Sequence, residues 1–134
     1  MTATVTGAAG SRLQVWAWRV AFVAACVLQL YGVYAPEEAG PSVGIPGIDK
    51  VAHFCLFAAV AFTGLKVGVP ARWLLGALVV NAIGSEFVQH YLLPHRDGDP
   101  FDALADLIGV AAGAWAGFRV FRRGRTGRHD MMGT

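Results

Sequence analysis

The chain places a few ionisable and amide side chains within otherwise apolar segments. They are Asp49, Lys50, His53, Glu86, Gln89, Arg96, Asp102 and Asp106. An ionisable group at the centre of a membrane helix costs about 2.5–3.5 kcal/mol on insertion scales, so such groups are rare and usually functional. Two carboxylates with a histidine can run acid–base chemistry. We therefore predict catalytic roles for Glu86, Asp102, Asp106 and His53, and ligand binding by Asp49, Lys50, Gln89 and Arg96.

The composition indicates a membrane protein. Of 134 residues, 55% are hydrophobic and 15% are charged, whereas soluble domains have about 25% charged residues. Four apolar stretches are each about 20 residues long, enough to cross a hydrocarbon core about 30 Å thick. They are residues 15–34, 51–69, 73–93 and 101–121, separated by breaks that contain proline. We predict an all-α fold, a four-helix transmembrane bundle.

The spans divide the chain into three parts. We predict a cytoplasmic N-terminal tail at residues 1–13, a membrane domain at 14–121 and a basic cytoplasmic tail at 122–134. The first span could instead be a secretory signal, because Arg12 precedes its apolar run. The candidate cleavage site is Val33-Tyr34-Ala35, and Pro36 would directly follow the cleaved bond, which argues against cleavage. The apolar run is also longer than the roughly 7–15 residues of a signal peptide. We favour a retained helix.

The basic residues predict the orientation of the bundle. Nine of the eleven Lys and Arg residues fall at one end of the predicted spans, and only Lys50 and Arg96 fall at the other. The positive-inside rule then places both termini in the cytoplasm and the polar residues on the extracytoplasmic side of a bacterial-type plasma membrane. The basic tail is interpreted as an anchor near anionic lipid. It is short and lacks interleaved aromatics, which argues against a nucleic-acid partner.

Helical spacing predicts which polar residues share a face. Asp102 and Asp106 are four residues apart, and Gly109 and Gly113 continue their face. Small residues at this spacing let membrane helices approach closely, so the carboxylates should point into the bundle. Glu86 lies roughly 10 Å from its helix end at 1.5 Å per residue, and lipid cannot satisfy it. We expect all eight candidates to converge on one cavity that opens outward.

Ordinary structural roles compete with the functional ones. Asp99 before Pro100 is typical of a helix N-cap followed by proline at the first helical position. Asp49 has the same capping option, and we weigh capping and function equally there. Arg96 is either an exposed loop cation paired with a neighbouring aspartate, or a clamp for a phosphate or carboxylate.

A metal site is a further alternative. Three pairs of oxygen and nitrogen ligands have i,i+4 spacing, namely Asp49/His53, Glu86/His90 and Asp102/Asp106. The ligand types suit a divalent metal. No established metal motif or cofactor fingerprint is present, so we predict no metal and no cofactor.

The polar residues together form a pattern that resembles the VanZ-like family of membrane proteins. The pattern is Asp49-Lys50-x-x-His53-Phe54, Glu86-x-x-Gln89, Arg96-x-x-Asp99-x-x-Asp102 and Asp106-x-x-Gly109-x-x-x-Gly113. That family is named for a small protein linked to low-level teicoplanin resistance. The family usually has Asn at position 106 and often Ser at position 99, so this chain adds negative charge. The resemblance implies a polytopic envelope protein with a polar outer site, and no particular reaction.

Two hypotheses for the function follow. In the first, the outer pocket binds or modulates a membrane lipid, a cell-wall precursor or a glycopeptide. In the second, Glu86 with Asp102 or Asp106 performs acid–base chemistry on an envelope glycan or lipid-linked substrate. A proton-coupled transporter is disfavoured, because the polar groups lie on one side of the membrane only.

The predicted topology can be tested by cysteine accessibility. A single cysteine introduced near Thr126 should resist membrane-impermeant reagents added to intact cells, and it should react after the cells are permeabilised. A cysteine introduced near Glu37 is the matched control and should react from outside. Labelling of the Thr126 position from outside would contradict both the orientation and the outer site.

Overall fold

The computed structural model describes residues 5–35, 45–93 and 98–129, and side chains within 11–35, 45–93 and 98–123. Four α-helices account for nearly all of these residues: α1 Val5–Tyr34, α2 Ile48–Lys66, α3 Ala71–Leu92 and α4 Pro100–His129. Each contains a segment long and apolar enough to cross a membrane. The predicted all-α four-helix membrane fold is confirmed. α1 begins at Val5 and α4 ends at His129, so both helices extend past the predicted spans into the predicted N-terminal and basic tails.

A tight turn joins α2 to α3. Gly68 adopts a φ of 89°, in the left-handed region that favours glycine. Its N–H donates to the carbonyl of Leu65 at 3.2 Å, and the N–H of Val69 donates to Gly64 at 3.0 Å. This is the Schellman arrangement, which satisfies the last carbonyls of a helix. Pro70 follows and stops the helix from continuing.

The helices form a bundle in which α2 and α4 run parallel. α2 packs against the other three helices, whereas α1 and α4 do not contact each other in the described part of the chain. Lys50 at the start of α2 bonds Asp99 and Asp102 at the start of α4. The starts of α2 and α4 and the end of α3 therefore share one end, named here the polar end.

Glycine lets α2 and α4 approach closely. A Cβ added at Gly109 would collide with the backbone carbonyl of Phe54, and one added at Gly113 would collide with that of Ala58. The contact is backbone against backbone, so no flexible side chain could move aside. The structure confirms that this glycine series is a helix-packing face, and Asp102 and Asp106 lie on the same side of α4.

The bundle is apolar on the outside as well as in its core. Phe57 and Ala61 of α2 pack with Leu78 and Ala82 of α3 in the buried cluster. Many large apolar side chains point outward, and Val80 is 71% exposed. An exposed apolar surface of this kind requires lipid around it, because water would not tolerate it.

The glycine contact predicts an asymmetric effect of adding one methyl group. Gly113→Ala should lower the free energy of unfolding by about 1–3 kcal/mol, because overpacking must push the two helices apart. Gly76→Ala in α3 is the matched control, since nothing lies within 4 Å of its added Cβ. Thermal unfolding in detergent, followed by circular dichroism, should show a loss for the first variant only. Equal stability of the two variants would contradict the close approach.

Candidate functional site

Lys50 binds three carboxylates at the polar end. Its Nζ lies 2.8 Å from Asp99 Oδ2, 3.1 Å from Asp102 Oδ1 and 3.1 Å from Asp49 Oδ2. An ammonium group has three donors, so each carboxylate takes one. Two of the acceptors belong to the first residues of α4 and its N-cap, which means that the cluster fastens α2 to α4.

Asp99 has a second role as a helix cap. Its Oδ1 accepts a hydrogen bond from the Phe101 N–H at 2.9 Å, and Pro100 occupies the first helical position. The predicted N-cap is confirmed. The Lys50 ammonium, together with the Phe101 N–H, holds the pKa of the Asp99 carboxyl below its usual range.

Asp49 is not a cap. α2 has Gly47 at its N-cap position, with a φ of 80° and no side-chain capping bond, and Asp49 lies within the first helical turn. The capping alternative for Asp49 is therefore wrong. Its carboxylate instead accepts a hydrogen bond from Lys50, and the positive end of the helix dipole stabilises its negative charge.

Deeper in the bundle, His53 of α2 pairs with Asp106 of α4. Nδ1 of the imidazole and Oδ1 of the carboxylate are 2.9 Å apart, with the side chains 7% and 0% exposed. The adjacent contact of Gly109 with Phe54 brings the two helices close enough for this pair. The other carboxylate oxygen, Asp106 Oδ2, is buried and has no hydrogen-bond partner among the described residues.

Glu86 lies on the wall of a groove between α3 and α4. The groove has a volume of about 390 Å³ and is lined by Ile83, Glu86, Phe87, His90, Tyr91, Gly98, Pro100 and Ala103. Both carboxylate oxygens of Glu86 are buried and have no hydrogen-bond partner within the described ranges. A buried carboxylate without a donor is costly, so this group is available to an incoming donor.

The groove depends on a glycine and on neighbouring charges. A Cβ at Gly98 would lie 3.0 Å from the Glu86 carbonyl oxygen and 3.1 Å from His90 Cβ, so a larger residue there would crowd the groove. The carboxylates of Asp102 and Asp106 repel the Glu86 charge, whereas a charged His53 attracts it. Glu86 therefore belongs to the same electrostatic site as the Lys50 cluster and the His53–Asp106 pair.

Gln89 does not join this site. Its Nε2 donates to the carbonyl oxygen of Val33 in the last turn of α1 at 2.7 Å, and the residue is 2% exposed. The hydroxyl of Tyr34 donates to Asn81 Oδ1 at 2.6 Å, which is a second polar link between α1 and α3. Sequence reasoning missed Asn81, although a lone amide within an apolar span was a usable signal.

The structure thus brings most of the predicted residues together, but in distinct groups. Asp49, Lys50 and Asp102 form the ion cluster, His53 pairs with Asp106 below it, and Glu86 lines the neighbouring groove. Gln89 faces α1 instead, and Arg96 lies outside the described residues. Within the described part of the chain, no three His, Cys, Asp or Glu residues are placed to hold a metal ion.

Fold and site together define a class: a four-helix membrane protein with its described carboxylates gathered at one end of the bundle. Comparisons of the chain with protein-family models, with curated proteins and with solved structures give no match. The resemblance to the VanZ-like family therefore stays a prediction.

The buried pair predicts different effects of two substitutions at Asp106. Asp106→Asn keeps an oxygen acceptor for the His53 ring and should retain most of the stability. Asp106→Ala removes that acceptor and should cost about 1–3 kcal/mol more, the penalty for a buried donor deprived of its partner. Thermal unfolding of both variants in the same detergent compares them. Equal losses would show that the hydrogen bond contributes nothing to stability.

Proposed function

We propose that this chain is a VanZ-like membrane protein that binds an amphiphilic cell-envelope molecule at its polar end, which faces the extracytoplasmic side. The ligand is a lipid-linked glycan, a cell-wall precursor or a glycopeptide. One observation carries the proposal: the Glu86 carboxylate is buried without a described donor in a groove whose other walls are mainly apolar.

The groove suits a ligand that is itself partly in the membrane. Phe87 is 62% exposed and Tyr91 is 73% exposed, so this side of the groove faces the surrounding lipid. A molecule with an acyl or polyprenyl chain could keep that chain in the bilayer while its polar part reaches Glu86. A rim of aromatic side chains suits a sugar or an acyl chain, since each offers an apolar face.

The charges favour ligand donors over a bare anion. The polar end holds five described carboxylates, and Lys50 is the one described Lys or Arg there. All three carboxylate contacts of Lys50 would compete with an anionic ligand. Hydroxyl, amide or ammonium groups would instead bond Glu86 directly, and a hydrogen bond to an ionised acceptor is among the stronger ones. This chemistry is present in glycans and peptides.

A second candidate is a membrane-embedded enzyme, and one arrangement favours it. His53 holds Asp106 through Oδ1 and leaves Oδ2 without a described partner. Glu86 interacts electrostatically with this carboxylate and with Asp102. Of two neighbouring carboxyl groups, a protonated one can donate a proton and an ionised one can accept a proton. Protonated Glu86 would give its proton to the leaving group as the bond to that group breaks, and Asp106 or Asp102 would take a proton from the water that attacks in its place.

Binding of a fluorescent lipid-linked cell-wall precursor to the purified protein tests the proposal. Glu86→Gln should weaken binding about tenfold or more, because it removes a charged hydrogen-bond acceptor. Ala103→Phe should block the groove. Ala111→Phe is the matched control, because it adds the same side chain to the same helix at an exposed position. Equal affinity in all three variants and the unmodified protein would contradict the proposed groove.

Product analysis of the same samples separates binder from enzyme. A binding protein leaves the precursor intact. Its affinity falls when the hydrogen bonds from the precursor to Glu86 are lost. An enzyme releases a headgroup or sugar, and Glu86→Gln should stop that release while binding falls less than turnover. Bound precursor that stays intact over long incubation supports the first proposal, and release that depends on Glu86 supports the second.

A further inference from the structure

The end of the bundle opposite the polar end is basic. Its described cations are Arg12, Arg19, Lys66, Arg72, Arg119, Arg122 and Arg123, whereas every described Asp and Glu belongs to the polar end. We name this the basic end. Segregation of this kind creates a positive surface at one membrane interface, and such a surface attracts anionic lipid by about 1 kcal/mol per basic residue.

All four tryptophans lie at the basic end, and each has a cation over its ring. Arg19, Lys66, Arg72 and Arg119 lie over Trp16, Trp18, Trp73 and Trp115, at 5.4, 5.1, 5.6 and 4.6 Å from the ring centroids. Indole rings favour the headgroup level, where one part of the ring is apolar and the N–H is hydrated. Tryptophans at the headgroup level would hold these cations near the lipid phosphates.

A groove opens at the basic end, beside the cation Arg122. Its volume is about 520 Å³, and it is lined by Leu65 of α2, Ala71 of α3, and Phe118, Phe121 and Arg122 of α4. Four apolar residues form the walls, and one guanidinium lies among them. An acyl chain fits apolar walls, and the planar fork of an arginine matches a phosphate.

We propose that this groove is a binding site for one anionic phospholipid. The part of an acyl chain next to the headgroup packs against Phe118 and Phe121, and the phosphate lies at the Arg122 guanidinium. No described side chain at the basic end is a carboxylate, so none of the described residues there would repel the headgroup. The proposal is independent of the function assigned to the polar end and of which end faces the cytoplasm.

Quenching of tryptophan fluorescence by brominated lipid tests the proposal. Trp115 lies one turn before Phe118, so a variant with the other three tryptophans replaced by phenylalanine reports on lipid in the groove. In phosphatidylcholine vesicles, brominated phosphatidylglycerol should bind about fivefold more tightly than brominated phosphatidylcholine, the factor that one basic contact provides. Arg122→Gln should remove most of this preference, and Arg19→Gln on α1 should not.

A second pair of variants separates a groove from diffuse charge attraction. Ala71→Phe fills the groove and leaves all charges in place, so the preference should fall to about one. Ala77→Phe adds the same side chain at an exposed position of the same helix, and it should keep the preference. A preference that survives Ala71→Phe, or equal quenching by the two lipids in the unmodified site, would overturn the proposal.

Discussion

The parallel packing of α2 against α4 is the contact on which the polar end depends. Gly109 and Gly113 bring the helix backbones together because neither presents a Cβ to α2. Only at that separation can Asp106 reach the His53 ring and Asp102 reach Lys50. A wider spacing would leave these groups unpaired inside the membrane, where an uncompensated charge costs several kcal/mol. The glycines therefore stabilise the ionisable groups without touching them.

The two ends of the bundle carry described charges of opposite sign. At the polar end, the described carboxylates outnumber the cations: three of them share Lys50 and Asp106 pairs with His53, whereas Glu86 has no described donor. At the basic end, four of the described cations, Arg19, Lys66, Arg72 and Arg119, lie over tryptophan rings. A cation over a ring gains electrostatic energy without losing its own charge, so it stays available to lipid. The chain thus holds separated charge within one small bundle.

Local patterns predicted most of the fold, because membrane spans and caps are encoded over a few neighbouring residues. The four spans, the glycine face and the Asp99 cap all follow from such patterns, and the structure has each of them. The partner of Gln89 could not be predicted, since it depends on which helix packs beside α3. The Glu86 groove could not be predicted either, because its walls come from α3, α4 and Gly98, which are brought together only by the packing of the helices.

The Asp99 carboxylate has two functions. Its Oδ1 caps α4 by accepting a hydrogen bond from the Phe101 N–H, and its Oδ2 accepts one from Lys50. Protonation would weaken both contacts together, so the start of the helix and the ion cluster share one acid sensitivity. Because the pKa of Asp99 lies below its usual range, its contribution to stability is complete above the pKa of the unfolded chain and is lost only as the pH falls through the lower folded value. The helix start and the ion cluster therefore keep these contacts in mildly acidic conditions.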